Sequence, residues 1–182
     1  MYFDAPGKEN TLATLQQGYA RGQALGITEV VLATTSGETA LTALGVFTGF
    51  QIIAVTYHCG FNAPFQSMMP PENRERLEAA GVRIVQATHA LSGIERSVAK
   101  KHSGVYPALI IADALKLFGQ GTKVAVEVAV MAADAGVLTG GDIVAIGGSS
   151  RGADAALIVA PAHQNNFFDL KVREVVCKPR KF

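Results

Sequence analysis

Short apolar runs alternate along this sequence with stretches whose apolar positions recur every three or four residues. The runs are Glu29–Ala33, Gln51–Tyr57, Arg83–Ala87, Asp142–Ile146 and Ala155–Val159. They are short and mostly rich in Val and Ile, which predicts strands buried in a sheet rather than helices. Helical spacing appears between them. Asn10 or Thr11 is placed to cap a helix carrying Leu12, Leu15 and Tyr19 and ending at Gly26. Ala40, Leu41, Leu44 and Phe47 mark a second, from about Glu38 to Phe47, and Pro71 starts a short charged one that ends at Gly81.

The interval from Ser92 to Leu138 predicts no strand. Ser92 with Glu95 has the spacing of a capping box for a helix over Ser92–Lys101, followed by helices over Pro107–Phe118 and Thr122–Ala135. The last is apolar nearly all round, so it should be buried. Lys171–Cys177 reads as a late edge strand. Strands alternating with helices predict an α/β fold, a largely parallel sheet covered on both faces, in one domain spanning residues 1–182.

Two loops of similar design stand out: Thr34-Thr35-Ser36-Gly37-Glu38-Thr39 after the first strand, and Gly147-Gly148-Ser149-Ser150-Arg151-Gly152 after the fourth. Small and hydroxyl residues at the carboxyl end of a buried strand let backbone N–H groups and side-chain oxygens converge on an anion. Were the two strands neighbours, both loops would open into one crevice, the usual ligand site of open α/β sheets. Thr34, Thr35, Ser36, Gly37, Glu38, Thr39, Gly147, Gly148, Ser149, Arg151 and Gly152 are therefore the candidate binding residues for a phosphorylated small molecule. The plainer reading is an ordinary helix cap for the first loop, and for the second a surface loop whose Arg151 pairs with Asp154. A third segment, His58–Pro70, is long enough for a binding loop and rich in Gly, Asn, Pro and Met.

Composition narrows the partners. Of 182 residues 49% are hydrophobic and 17% charged, with a net charge of +1, which argues against nucleic acid or an acidic membrane surface as partner. No apolar run reaches the ~20 residues of a membrane span, and no signal-peptide pattern opens the chain. Cys59 and Cys177 have no metal-ligand spacing, so no metal site is expected, and a reduced, cytoplasmic setting is.

The residues also carry a family resemblance. Val30-Val31-Leu32-Ala33-Thr34-Thr35-Ser36-Gly37-Glu38-Thr39-Ala40, followed by Ile52-Ile53-Ala54-Val55-Thr56, resembles the C-terminal α/β domain of pyruvate kinase, as does Gly141-Asp142-Ile143-Val144-Ala145-Ile146-Gly147-Gly148. Thr56-Tyr57-His58, His89–Ser97, Met131–Asp134 and Pro161–Asp169 resemble the stand-alone proteins of that domain type. The resemblance implies a three-layer αβα sandwich with a mostly parallel central sheet in strand order 3-2-1-4-5. It suggests flavin mononucleotide (FMN) as ligand. It also implies no pyruvate kinase activity, since the catalytic barrel has no counterpart in these residues. An isoalloxazine ring needs an aromatic wall, which Tyr57 or the Phe61–Phe65 segment would supply, with His58 beside it; core packing is the alternative for Tyr57.

Residues for catalysis are fewer. Glu127, His58 and His89 are the candidates, Glu127 being the one charge between Lys123 and Asp134 in an apolar helix. Its burial suits a general acid; a structural salt bridge, to Arg96, is the competing reading. Three functional expectations follow: a binding protein for a phosphorylated small molecule such as FMN; a flavin-dependent oxidoreductase or phosphate-ester hydrolase; or an oligomerising interaction domain whose strand Val172–Cys177 pairs across a two-fold axis to form a homo-oligomer.

Overall fold

The apolar runs assemble into one seven-stranded sheet in the computed structural model, which describes residues 1–182. The strands are β1 (Tyr2–Phe3), β2 (Glu29–Ala33), β3 (Gln51–Tyr57), β4 (Arg83–Ala87), β5 (Ile143–Gly147), β6 (Ala155–Ala160) and β7 (Lys171–Pro179). Their order is β1-β7-β6-β5-β2-β3-β4. The five central strands thus follow the expected 3-2-1-4-5, with β7 and β1 added beyond β6. β2 lies parallel to both β3 and β5, and β3 parallel to β4, whereas β6 runs antiparallel to β5 and β7. The short link from β5 to β6 leaves no room for a crossover helix, so β6 must turn back.

β1 was not legible as a strand, being two residues long, and it changes the reading of β7. Tyr2 and Phe3 pair with Lys178 and Pro179, so β1 takes the sheet's edge there and leaves the outer side of residues 171–175 open.

Helices α1 (Thr11–Ala24), α2 (Glu38–Leu44), α3 (Pro71–Ala79), α4 (Gly93–His102), α5 (Pro107–Lys116) and α6 (Gln120–Asp134) fill the two outer layers. On one face α1, α2 and α3 cover Val30, Leu32, Ile52, Ala54, Val144 and Ile146. On the other, α6 covers Val31, Ile53, Val55, Ile143, Ala145 and Leu157, and α5 packs over α6 in turn. Sandwiched between sheet and α5, α6 is buried along most of its length, as its apolar circumference predicted.

Some helix boundaries differ from the sequence reading: α2 ends at Leu44 rather than Phe47, α5 at Lys116 rather than Phe118, and α6 begins at Gln120 rather than Thr122. α1 turns Thr14, Leu15, Gly18 and Gly22 to the sheet, while Leu12 is exposed. A side chain on Gly22 would lie 2.8 Å from Val144 Cγ2, so small residues rather than large ones set this contact. Ser92 forms no capping box: Glu95 instead accepts the N–H of Ala108 at 3.0 Å, tying α4 to α5.

Candidate functional site

The register of β2 between β3 and β5 brings the two hydroxyl-rich loops side by side, since Leu32 lies beside both Ala54 and Ile146. At the carboxyl ends of these strands is a crevice of about 710 Å³, within the ~300–1,000 Å³ usual for small-molecule sites. One wall is Thr34, Thr35, Ser36, Glu38 and Thr39; the opposite wall is Gly148, Ser149, Ser150, Arg151 and Gly152.

The first loop is held by its own side chains. Buried Thr34 accepts the N–H of Gly37 through Oγ1 at 3.1 Å. Thr56 Oγ1 donates to the carbonyl of Thr35 at 3.0 Å, and Asn73 Nδ2 donates to that of Ser36 at 2.9 Å. Gly37 sits at φ +96°, where a side chain would be strained, and is packed against Asn73 and Leu77. With the carbonyls so occupied, the N–H groups of Thr35, Ser36, Glu38 and Thr39 have no acceptor within the protein. Glu38 points to solvent, 3.7 Å from Lys8.

The second loop closes on Asp154. The N–H of Asp154 donates to the Gly147 carbonyl at 3.0 Å, and its Oδ2 accepts the N–H of Ser149 at 3.2 Å. Asp154 is 1% exposed, and burial pushes its carboxyl above the ordinary value, against the opposing bond from Ser149. Arg151 therefore does not pair with Asp154; it is exposed and forms no salt bridge.

Behind the loops, Tyr57 and Phe61 stack with ring centroids 4.1 Å apart and planes 3° apart, and His89 packs against both. All three line the crevice with Met68. Burial pushes the His89 imidazole below its ordinary value, partly countered by Glu127. The crevice floor is α6, through Gln120, Lys123, Val124, Glu127, Val128 and Met131. There Lys123 and Glu127 form a buried ion pair, with side chains 6% and 3% exposed. Glu127 Oε1 also accepts the N–H of Leu91 at 3.0 Å.

Several expected residues take other places. Gly147 is buried beneath the crevice, where a side chain would meet the Gly121 carbonyl oxygen at 2.1 Å, and Gly37, within the first loop, faces Asn73 and Leu77 rather than the crevice. His58 is turned to the backbone of Cys59, 2.8 Å from its carbonyl, and Phe65 is 96% exposed; neither lines the crevice. Glu127 pairs with Lys123, not with Arg96. The ion pair is one helical turn apart, and that i, i+4 spacing in an apolar helix was the signal that Lys123, too, faces inward.

A family model described as "Pyruvate kinase, alpha/beta domain" matches residues 13–159. Among solved structures, Cryptosporidium parvum pyruvate kinase in complex with ADP matches with 18% identity, 84% of this chain and 24% of that chain covered, and a TM-score of 0.44. Another pyruvate kinase structure from Cryptosporidium parvum matches with 16% identity over 83% of this chain and 23% of that one, with a TM-score of 0.42. The chain thus spans about a quarter of the length of these enzymes.

Proposed function

Because this chain belongs to the pyruvate kinase alpha/beta domain family, we propose that its crevice binds a phosphorylated small molecule, with FMN as the foremost candidate. The observation that carries the reading is the convergence of both loops and the stacked Tyr57–Phe61 pair on one cavity of suitable size. The free N–H groups and hydroxyls of Thr35, Ser36 and Thr39, with Ser149 and the unpaired Arg151 opposite, suit a phosphate. The aromatic wall suits a planar ring, offering offset stacking to its face. FMN when bound would supply a redox-active ring; the protein's part is to bind and orient it.

Titration of the purified chain with FMN and with riboflavin, followed by flavin fluorescence, tests this. FMN should bind more tightly because riboflavin lacks the phosphate, and Arg151→Gln should narrow the gap. Equal affinities, or no binding of either, would defeat the proposal. Both cysteines are free thiols, Cys59 exposed, and the cytoplasm is the compartment this reading adopts for them.

A second reading has its own observation: the open outer edge of β7 over residues 171–175 is a surface on which a second copy can add a strand. Solution mass decides it, a monomer at all concentrations removing homo-oligomerisation from the picture.

A further inference from the structure

Beside the crevice lies a smaller chamber of about 280 Å³, whose lining includes Leu91, Leu109, Ala112, Asp113 and Lys116. Arg96, Gln120 and Lys123 belong to both cavities and so stand at their junction. We propose that this junction is a second ligand site, distinct from the two loops, which takes the carboxylate of a short aliphatic acid. Its location does not depend on FMN being the first ligand.

Three observations support it. Lys123 is 5% exposed, yet its ammonium, with three donors, has one acceptor in the protein, Glu127. Buried donors are ordinarily satisfied, so two remain for a ligand oxygen. Arg96 has no salt bridge or side-chain hydrogen bond to the protein, which leaves its planar fork open for bidentate contact with a carboxylate. Counting Glu127 against these two cations leaves the junction one positive charge in excess. Beyond it the chamber is walled by Leu91, Leu109 and Ala112, with Asp113 and Lys116 paired at 2.8 Å. The three apolar side chains suit an aliphatic body of a few carbons, and the Asp113–Lys116 pair beside them is exposed to solvent. The first site's aromatic wall and this one open into the same crevice, so two ligands are brought together.

Calorimetric titration of the whole chain with butyrate tests the site, with 1-butanol and butylammonium as probes of equal chain length. Saturable binding of butyrate is expected, with none for the other two. Arg96→Gln should weaken butyrate about tenfold through the lost charge-assisted bonds, and Arg96→Lys should recover part of that. Leu109→Trp, which narrows the chamber and does not line the main crevice, should weaken butyrate binding and leave FMN titration as it was. No saturable butyrate binding, equal binding of butanol, or butyrate affinity untouched by Arg96→Gln in a folded protein would each overturn the proposal. Butyrate binding with these sensitivities in a chain that ignores FMN would remove the flavin reading and leave this site standing.

Discussion

Breaking the buried ion pair of α6 is the sharpest test of how the crevice floor is built. In Lys123→Met, Glu127 stays in a place where its side chain is 3% exposed, and one partner, the N–H of Leu91, remains to it. Stranding one member of a buried pair typically costs ~3–5 kcal/mol. The lower end applies here because Lys123 lines the crevice, so water reaches the site once the ammonium is gone. A loss of about 3 kcal/mol corresponds to a fall of roughly 6–12 °C in Tm for a domain of this size. Glu127→Gln should cost a similar amount by leaving the ammonium unpaired, although the amide oxygen can still accept from Leu91. The double variant holds no buried charge and keeps that acceptor, so it should lose only about 1 kcal/mol and be more stable than either single variant. Equilibrium urea unfolding of all four proteins gives the coupling energy directly, expected to exceed ~2 kcal/mol. Single losses below about 1 kcal/mol, or losses that simply add, would refute the claim that these groups are buried against each other.

The loops and their support give three more expectations. Ser36→Asp places a negative charge in the first loop and should weaken FMN or inorganic phosphate by ~1–3 kcal/mol in a binding titration, with unchanged affinity showing that the phosphate sits elsewhere. Gly147→Ala sets a methyl group 2.1 Å from the Gly121 carbonyl oxygen, a backbone atom that cannot swing aside, so urea unfolding should report a loss of about 3 kcal/mol. Asp154 has its folded-state pKa raised by burial from the ordinary 3.8, so the folded protein holds this proton to higher pH than the unfolded chain. Stability should therefore fall as pH rises from 3.8 through the raised value. Asp154→Asn should lack that segment of the urea midpoint's pH profile, and parallel profiles would count against a buried acid there.

The sequence by itself determined the strands from Glu29–Ala33 to Ala155–Val159, because short apolar runs, mostly rich in Val and Ile, leave a local signature. It also marked both crevice walls, since a glycine- and hydroxyl-rich turn after such a run is likewise a local pattern. The β1 edge lay beyond it: two residues carry no periodicity, and their partners Lys178 and Pro179 are at the far end of the chain. Which charges meet was also beyond it. Arg96 was the expected partner of Glu127, but the helix turns Lys123 inward and leaves Arg96 open to the crevice. Ser92 with Glu95 had the letters of a capping box, yet the start of α5 lies within reach of Glu95 and took the carboxylate. Only the tertiary structure decided that Gly148 lines the crevice and Gly147 does not, and that a side chain on either would meet a backbone carbonyl oxygen at 2.1 Å. Hydrophobic periodicity is written residue by residue along the chain, whereas ion pairs and cavity walls depend on distances between segments far apart in it.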